Sequence, residues 1–570
     1  MRSTSHYFLE AIGELGIDYL FCNLGTDHAP LIEEMARWRS EGREPPQTVL
    51  CPHENVAVHM AAGYAVATGK GQAVLVHVDA GTANSAMALH NLCRARIPVL
   101  LAAGRAPFTT HGELDGSRDT YVHFVQEPFD QGSIVRPYVK WEYTLPSGVV
   151  AKEALRRAHS VMHSDPTGPV YLMLPREVLA QSWEPNAIRS FDATRHAPLK
   201  ARGTDPQQLA ELAKRLIAAR EPLLITSYAG RNPEAPAIVD ALARYAGIRV
   251  CEFNPVHLNI RRDSPCFGGW QPSAHVTAAD VGLLVDVDVP WIPKDTAPDP
   301  QAFWAHIDVD AVKRDFPMWS YPADVRIEGD SARILAQLLE AMQAIAPAGF
   351  AQTAARRVEQ LASAQRARAA QVSAAAAEAG EPGRLNPQHV CAQLGRLLSP
   401  RDVVLNEAIR NAPAVFAQIP RTEPGSLIGL AGGGLGFSGG MALGVKLARR
   451  DRTVVQVVGD GTFYFCNPEA VYAVSRQYDL PILTVVLDNS GWAAVKEATL
   501  RMYPDGHARR RSEYESLLAP KMDFAKIAES AGAYGEVLED PAQTGAALER
   551  CLDAVRSGRS AVLHARVAPL

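Results

Sequence analysis

Two short polar stretches near the end of the chain contain residue types that bind a hard cation. Residues 459–462 (Gly-Asp-Gly-Thr) and residues 488–491 (Asp-Asn-Ser-Gly) each follow an apolar run. Each run predicts a buried parallel strand, and neighbouring parallel strands bring Asp460 and Asn489 to the edge where open α/β sheets bind ligands. Carboxylate, amide and carbonyl oxygens suit Mg²⁺ when a diphosphate completes its coordination. The pair of stretches therefore predicts a magnesium–diphosphate site.

The triplet Gly-Asp-Gly also has a purely structural explanation, because a turn after a strand can contain an aspartate that binds nothing. The second stretch, with its asparagine at a strand end, argues for the site. Together the two resemble the metal–diphosphate signature of thiamine-diphosphate (ThDP) enzymes. The resemblance implies that Mg²⁺ binds Asp460, Asn489 and the carbonyl of Gly491, and that the cofactor also contacts Gly461, Thr462 and Asn411.

Three departures from the family pattern bear on this site. The interval after Asp460 is longer than usual around residues 464–468, which predicts a bulge facing the cofactor. Asp488 stands where the family usually has a first asparagine. Arg410 replaces a small hydroxyl residue and could pair with a phosphate oxygen or a substrate carboxylate. The triplet at 509–511 (Arg-Arg-Arg) is favoured as a solvated loop, with recognition of an acidic substrate left open.

Glu54 is the most informative residue of the first third of the chain. It follows a predicted strand and opens a predicted helix, where a carboxylate is commonly only a favourable partner of the helix dipole. Beside the magnesium–diphosphate pattern, its context Glu54-Asn55-Val56-Ala57 resembles the ThDP family. The resemblance implies that Glu54 hydrogen-bonds the aminopyrimidine ring of the cofactor and primes it for proton removal.

A glycine-rich loop at residues 432–439 (Gly-Gly-Gly-Leu-Gly-Phe-Ser-Gly) is the third element of the pattern. Its spacing does not match the dinucleotide fingerprint GxGxxG, and a tight packing turn is the structural alternative. The resemblance implies that Leu435 props the cofactor in a bent shape. It also implies that the Gly433 carbonyl accepts a hydrogen bond from the cofactor's amino group.

His77 and Thr26 narrow the choice within the pyruvate oxidase/decarboxylase branch of the family. The contexts Val76-His77-Val78-Asp79 and Asn23-Leu24-Gly25-Thr26 resemble benzoylformate decarboxylases. The resemblance implies that His77 moves protons on the intermediate and that Thr26 holds the substrate carboxylate. A lone histidine at a strand end is often structural, so both explanations stay open. Secondary candidates are His28, His53, His90 and His111.

Alternation of strand-like and helix-like segments predicts an α/β protein with three doubly wound parallel-sheet domains. The resemblance, which covers essentially the full length, assigns residues 1–185 to a pyrimidine-binding domain, 200–345 to a central domain and 385–570 to a diphosphate-binding domain. A polar linker is expected at 182–206. An Ala-, Gln- and Arg-rich stretch at 352–379 predicts an exposed connecting helix.

Composition excludes several classes of function. The chain has 570 residues, 47% of them hydrophobic, and a net charge of −5, which gives no reason to expect nucleic acid or an anionic membrane as a partner. No apolar run is long enough to span a bilayer, and the N-terminus does not look like a signal peptide. The eight cysteines contain no CxxC pair, which predicts reduced thiols in a cytoplasmic protein.

The sequence thus predicts a ThDP- and Mg²⁺-dependent carbon–carbon lyase or transferase acting on 2-oxo acids, similar to benzoylformate decarboxylase. The alternatives are an acetolactate-synthase-like carboligase, a lyase of 2-hydroxy ketones or 2-hydroxyacyl compounds, a catalytically silent subunit of the same fold, and a nicotinamide dehydrogenase. FAD is not expected, because no glycine-rich loop lies between residues 222 and 345. The family geometry implies a homodimer or homotetramer in which Glu54 meets the diphosphate site across a subunit interface.

Overall fold

Three six-stranded parallel sheets, each flanked by helices, form the molecule. The computed structural model describes residues 1–185, 187–190, 193–199, 202–519 and 522–569. The predicted α/β fold with three doubly wound sheets is confirmed. Lys200 and Leu570, the outer limits of the predicted central and diphosphate domains, lie outside the described residues.

The first sheet has the strand order β3-β2-β4-β5-β7-β6. The elements of this region are β1 (Arg2–Ser3), α1 (Thr4–Glu14), β2 (Tyr19–Asn23), α2 (Ala29–Ser40), β3 (Gln47–Leu50), α3 (Glu54–Thr68), β4 (Gln72–Val76), α4 (Val78–Ala95), β5 (Val99–Arg105), α5 (Val122–Val125), β6 (Glu142–Thr144), α6 (Ala151–His163), β7 (Val170–Pro175), α7 (Arg176–Ala180) and β8 (Ser182–Trp183).

The second sheet has the order β11-β10-β9-β12-β13-β14. Its elements are α8 (Pro206–Ala218), β9 (Pro222–Thr226), α9 (Ala235–Ala246), β10 (Arg249–Glu252), β11 (Phe267–Gly269), α10 (Ser273–Val276), β12 (Val281–Val285), β13 (Phe303–Asp308), β14 (Val325–Glu328) and α11 (Ser331–Ile345).

The third sheet has the order β18-β17-β19-β20-β22-β21. It is preceded by α12 (Phe350–Ala377), β15 (Gly380–Glu381) and β16 (Arg384–Leu385). Its own elements are α13 (Pro387–Leu397), β17 (Val403–Glu407), α14 (Ala412–Gln418), β18 (Leu427–Gly429), α15 (Ser438–Ala448), β19 (Val454–Gly459), α16 (Asp460–Phe465), α17 (Pro468–Gln477), β20 (Leu483–Asp488), α18 (Ala493–Met502), α19 (His507–Arg511), α20 (Phe524–Ser530), β21 (Tyr534–Leu538), α21 (Thr544–Arg556) and β22 (Ala561–Arg566).

Each sheet has a topological switch point, where the chain leaves two neighbouring strands in opposite directions. It lies between β2 and β4 in the first sheet, between β9 and β12 in the second, and between β17 and β19 in the third. Crevices at the carboxyl ends of such strands are the usual ligand sites of open α/β sheets. The central strands are buried on both faces, which explains their nearly continuous apolar sequences.

Helices α3 and α15 join the first and third regions face to face. Their backbones approach so closely that a Cβ added at Gly444 would lie 1.9 Å from the carbonyl oxygen of Met60, so this position admits no side chain. The contact places the first turn of α3, which begins at Glu54, beside the glycine-rich loop that precedes α15.

The predicted connecting helix is confirmed as α12, a helix of 28 residues with few buried side chains. Other expectations differ in detail. Strand β4 ends at Val76, because helix α4 already begins at Val78. The sequence predictions did not include strands β6, β11, β14, β18, β21 and β22. The first four of these have only three or four residues, too few for a clear periodicity. In the part of the chain that the structure describes, none of the helices combines the length and apolarity needed to cross a membrane.

Candidate active site

Asp460 is a buried carboxylate at the end of β19. This strand pairs in parallel with β20, with Gly459 opposite Leu487, so the polar residues that follow both strands lie side by side. Asp460 is 2% exposed, and its Oδ2 atom has no hydrogen-bond partner. Burial, followed by the charge of Asp488, raises the pKa of Asp460 to about 7. A buried carboxylate of this kind lacks a cation.

The stretch after β20 supplies further oxygen atoms. Asn489 is 6% exposed, and its Oδ1 accepts the Gly491 N–H at 3.2 Å. Asp488 is used by the protein itself, because its Oδ2 lies 2.8 Å from Nε2 of His564 and its Oδ1 accepts the Ser490 N–H. Among the described residues no three His, Cys, Asp or Glu side chains could hold a metal together. A cation beside Asp460 therefore needs amide and carbonyl oxygens, which suits Mg²⁺.

The other predicted diphosphate contacts lie at the same edge of the third sheet. Thr462 is buried in α16, and Asn411 is buried at the end of a 3₁₀ turn after β17. A Cβ added at Gly461 would lie 2.3 Å from the ring of Trp492, so only glycine fits there. The edge thus combines a partnerless carboxylate with tightly packed small residues, and these fit a magnesium–diphosphate group.

Glu407, at the end of β17, holds the glycine-rich loop in place. Its carboxylate accepts the backbone N–H groups of Gly436 at 2.6 Å, Phe437 at 3.3 Å and Ser438 at 2.9 Å. Complete burial outweighs these hydrogen bonds and raises the pKa of Glu407 to about 7. Sequence reasoning assigned no role to Glu407, because nothing in its local context shows which loop it reaches.

Glu54 opens α3 and is 8% exposed. Its Oε2 accepts a hydrogen bond from Nδ2 of Asn84, on α4, at 3.0 Å. Sequence reasoning assigned no role to Asn84, because its contact with Glu54 depends on how α3 and α4 pack together. The amide leaves Oε1 of Glu54 near the first turn of α4, where a Cβ added at Gly81 would lie 3.3 Å away.

The two halves of the predicted site meet at a cavity of about 340 Å³ whose lining includes His53, Asn84, Tyr464 and Phe465. Asn55 Nδ2 donates to the carbonyls of Gly436 and Phe465, each at 3.4 Å. The longer interval at 464–468 ends in Asn467, which has a φ of +54° and also lines the cavity. In this single chain both halves are intramolecular neighbours, which differs from the predicted meeting across a subunit interface.

The glycine-rich loop is also tied to α4. Asn91 Nδ2 donates to the Gly434 carbonyl at 2.9 Å, and Asn91 Oδ1 accepts the Gly434 N–H at 3.1 Å. His90 Nε2 accepts the Gly433 N–H at 3.2 Å. Gly433 is exposed and Leu435 is half-buried, so both remain accessible to a ligand.

His77 and Thr26 are brought together at the switch point of the first sheet. Nδ1 of His77 lies 2.5 Å from Oδ1 of Asp27, and Thr26 Oγ1 lies 3.1 Å from Nε2 of His123. The hydrogen bond with Asp27 raises the pKa of His77 although burial opposes it.

The remaining histidine candidates lie at different places in the structure. His53 lines the cavity and His90 contacts the glycine-rich loop, as described above. His28 is fully buried beside Asp27. His111 lies on an exposed loop.

The arginine candidates have protein partners. Arg410 Nε lies 2.6 Å from Oε1 of Glu497, and both side chains are about half exposed. In α19, Arg511 pairs with Glu513 at the surface, and Arg509 donates to the Pro504 carbonyl at 2.6 Å. In this structure these arginines bind neighbouring groups of the protein.

Comparisons with known proteins agree with this geometry. The family "Thiamine pyrophosphate enzyme, N-terminal TPP binding domain" matches residues 2–134, and "Thiamine pyrophosphate enzyme, C-terminal TPP binding domain" matches residues 411–565. A benzoylformate decarboxylase of Pseudomonas aeruginosa is 26% identical over 93% of each chain. The acetolactate synthase isozyme 3 large subunit of Escherichia coli is 27% identical over 90% of this chain and 86% of its own.

Solved structures show the same fold. A ThDP-dependent 4-hydroxybenzoylformate decarboxylase of Rhodococcus jostii superposes with a TM-score of 0.78 at 21% identity over the full length of both chains. The benzoylformate decarboxylase of Polynucleobacter necessarius gives a TM-score of 0.77 at 19% identity, covering 100% of this chain and 99% of that one. The two matched family domains carry the two halves of the site described above, and the chain belongs to the thiamine-pyrophosphate-dependent enzymes.

Proposed function

We propose that the protein is a ThDP- and Mg²⁺-dependent decarboxylase of 2-oxo acids, similar to benzoylformate decarboxylase. The observation that carries the proposal is the buried Oδ2 of Asp460, which has no hydrogen-bond partner. The wall of one cavity also contains residues from both regions, with His53 and Asn55 next to Glu54, and Tyr464 and Phe465 in the helix that begins at Asp460. When bound, thiamine diphosphate supplies addition to a carbonyl carbon and takes up the electrons of the broken C–C bond. The protein supplies orientation, exclusion of water and proton handling.

Each predicted residue has a role in this proposal. Asp460, Asn489 and the Gly491 carbonyl would hold Mg²⁺, and Gly461, Thr462 and Asn411 would contact the diphosphate. On the other side, Glu54 would hydrogen-bond the aminopyrimidine, and Asn84 fixes the Glu54 carboxylate at 3.0 Å. Leu435 and the Gly433 carbonyl would contact the cofactor between these two ends. Thr26 and His77 hold the substrate carboxylate and move the proton.

Carboligation is a second candidate, because acetolactate synthases match about as well as benzoylformate decarboxylases do. The two reactions differ in which electrophile the pocket admits after the first bond is broken. FAD, which acetolactate synthases usually hold in the central domain, stays unexpected. In this protein the crevice of the central domain, at the β9/β12 switch point, already contains Lys313, whose buried ammonium binds Asp308 and Tyr228.

We further propose that the protein works in the cytoplasm as a homodimer or homotetramer with sites between subunits. All eight cysteines are free, and seven of them are buried. Large apolar side chains stay exposed after β5 and around α18, among them Tyr121, Val125, Phe129, Met502 and Leu517, as expected of an interface. In the structure α3 packs against α15 of the same chain, so the proposed assembly would exchange this contact between two copies.

A substrate screen tests the proposed activity. The purified protein is supplied with ThDP and Mg²⁺ and a panel of aryl and alkyl 2-oxo acids, and both CO₂ release and ketol formation are measured. We expect CO₂ from at least one aryl 2-oxo acid. Ketol without free aldehyde would favour the carboligase. Absence of both products, with cofactor bound, would favour the silent subunit, and stabilisation by NAD in place of ThDP would favour the dehydrogenase.

A further inference from the structure

A buried aspartate and a partly exposed histidine form a pair at the switch point of the first sheet. Asp27 follows β2, and His77 follows the neighbouring strand β4. Their Oδ1 and Nδ1 atoms are 2.5 Å apart. The Asp27 side chain is 0% exposed, whereas that of His77 is 23% exposed. The pair therefore places an anion behind a ring that reaches the crevice where this fold binds ligands.

The backbone around the pair leaves no room for another arrangement. A Cβ at Gly104 would lie 1.3 Å from Oδ2 of Asp27, and a Cβ at Gly25 would lie 1.9 Å from Nδ1 of His77. Val78 has a φ of +29°, which is rare for a β-branched residue, and its N–H donates to Oδ2 of Asp27 at 3.2 Å. Backbone strain of this kind persists only where the surroundings enforce it, and it clusters at functional sites.

Both ring nitrogens of His77 face oxygen acceptors. Nδ1 faces Asp27, and Nε2 lies 3.0 Å from Oε1 of Gln126, at the end of α5. A neutral imidazole carries one N–H, so both acceptors are satisfied together only by the imidazolium ion. Asp79, on the same helix, adds a second negative charge that also raises the pKa of His77.

Two other histidines face the pair without opposing its charge. His28 Nδ1 lies 3.3 Å from Asp27 and accepts the Gly25 N–H, while complete burial lowers the pKa of His28 and so favours its neutral form. Burial, followed by the charge of Arg176, also lowers the pKa of His123. The cationic form is thus favoured at His77 and disfavoured at its neighbours.

A second chain of hydrogen bonds orients Thr26. Nδ1 of His123 lies 3.3 Å from both the backbone nitrogen and Oδ1 of Asp119, and Nε2 lies 3.1 Å from Thr26 Oγ1. With the ring proton on Nε2, the Thr26 oxygen accepts it, and the hydroxyl hydrogen of Thr26 can point at another acceptor.

We propose that Asp27 and His123 are positioning residues that turn His77 and Thr26 into a pair of hydrogen-bond donors for the carboxylate of a 2-oxo acid. His77 donates Nε2–H to the substrate in place of Gln126, whose amide oxygen occupies the acceptor position in the free protein. Thr26 donates its hydroxyl hydrogen to the same carboxylate. The inference rests on the proposed function, since that function supplies the carboxylate.

The Asp27→Asn variant tests the first half of the proposal. It keeps the shape of the side chain and removes the charge that stabilises the imidazolium. Activity that needs the protonated ring falls as pH rises through the raised pKa of His77, so in the variant the alkaline limb of the kcat profile moves to lower pH. At neutral pH we expect kcat to fall about 10²-fold, the lower range for loss of acid–base assistance.

Histidine NMR titration gives a readout that needs no turnover. We expect His77 to titrate above 6.5 in the wild-type protein and at a lower pH in Asp27→Asn. The matched control Asp79→Asn removes the same charge without a hydrogen bond to the ring, and we expect a much smaller shift. Titration of wild-type His77 at or below 6.5 would overturn the inference. A raised value in a protein that turns over no 2-oxo acid would instead reject the proposed function.

Two further variants test the donors. Gln126→Ala removes the acceptor that competes with the substrate for Nε2–H of His77, so we expect KM to fall. A rise in KM would contradict this role of Gln126. Thr26→Val removes the hydroxyl, and His123→Phe removes the hydrogen bond that orients it. Because both substitutions act on the Thr26 donor, the double variant should lose no more activity than Thr26→Val alone. Additive losses would show that His123 acts elsewhere.

Discussion

The crevices of the central and diphosphate domains have the same kind of architecture and opposite electrostatics. In the diphosphate domain, Asp460 lies beside a second carboxylate, Asp488, and the described part of the chain offers it no ion pair. In the central domain, Lys313 is fully buried and binds Asp288 at 2.8 Å and Asp308 at 2.6 Å. Among the described residues Asp460 has no ion-pair partner, whereas the central crevice contains its own cation, Lys313.

The central crevice is also closed by the neighbouring domain. Arg96, at the end of α4, binds both carboxylate oxygens of Asp288 at 2.7 and 3.2 Å and lies 4.2 Å over the ring of Tyr228. Asp286, also there, has one oxygen without a partner, and burial, followed by the charge of Asp308, raises its pKa to about 7. Both crevices thus contain a buried carboxylate oxygen without a partner, and they differ in that the central one also holds Lys313 and Arg96, whose charges balance its carboxylates.

The most complete loss is expected from Asp460→Ala, which should abolish cofactor binding. With ThDP and Mg²⁺ at about 100 times their Kd, the wild-type protein should gain about 2.7 kcal/mol of unfolding free energy by mass action. The variant should gain none, because the oxygen that holds the cation is gone. Thermal unfolding with and without cofactor measures this, and Asp288→Asn in the central crevice serves as the control that keeps the gain. Equal gains in Asp460→Ala and the wild type would break the comparison.

Glu54→Gln should retain the fold and the cofactor-dependent gain in stability but lose about 10²- to 10⁴-fold in kcat, the range for acid–base assistance. Steady-state kinetics and thermal unfolding separate these effects. Normal turnover would remove Glu54 from the mechanism.

Mixing Glu54→Gln with Asp460→Ala extends this test to the assembly. If the site forms between copies, mixed dimers contain one intact site and activity partly returns, which is the outcome we expect. If one chain supplies both halves, every site stays defective. An active wild-type monomer in sedimentation would also contradict the assembly.

Lys313→Met tests the central crevice, where the protein supplies its own cation. Removal of one partner from a buried ion pair costs about 3–5 kcal/mol of unfolding free energy, and cofactor affinity should not change. Burial alone raises the pKa of Asp308, but the Lys313 charge, the His306 hydrogen bond and the Arg96 charge hold it below its ordinary value of 3.8. Its stabilising contribution is therefore present above pH 3.8 and is lost as pH falls through the lower folded value.

Without Lys313, Asp308 becomes a buried acid that takes up a proton more readily. The destabilisation should therefore be smaller at pH 5 than at pH 7. Denaturant titration at the two pH values measures it. An equal loss at both would mean that Asp308 keeps its charge without the lysine.

The smallest effect is expected from Glu407→Gln. The amide NH₂ group would face backbone N–H groups that now donate to the carboxylate, and an unsatisfied buried group costs about 1–3 kcal/mol. The glycine-rich loop should loosen and the Kd for ThDP should rise modestly. Unfolding and cofactor titration measure the two effects, and unchanged values for both would show that the loop is held elsewhere.

The sequence predicted the three sheets because their long buried strands and amphipathic helices have clear periodicities. It also singled out Asp460, Asn489 and Glu54, because each follows a recognisable strand, and the structure places Asp460 and Asn489 after two neighbouring strands. It did not predict the residues that position them. Asn84 and Glu407 act through contacts between distant elements, and no local pattern shows which element they will meet.

Helix α12 fixes the rotation of the central domain relative to the diphosphate domain. Its 28 residues span about 42 Å at 1.5 Å per residue. The first half of α12 is attached to the central domain, because Arg357 donates to the Ala246 carbonyl at 3.0 Å. The second half is attached to the region of the third sheet, because Gln418 of α14 donates to the Val372 carbonyl of α12 at 2.8 Å. A single inserted residue would turn one fastening by about 100° against the other. Natural length variation should therefore fall outside this segment or come in whole turns.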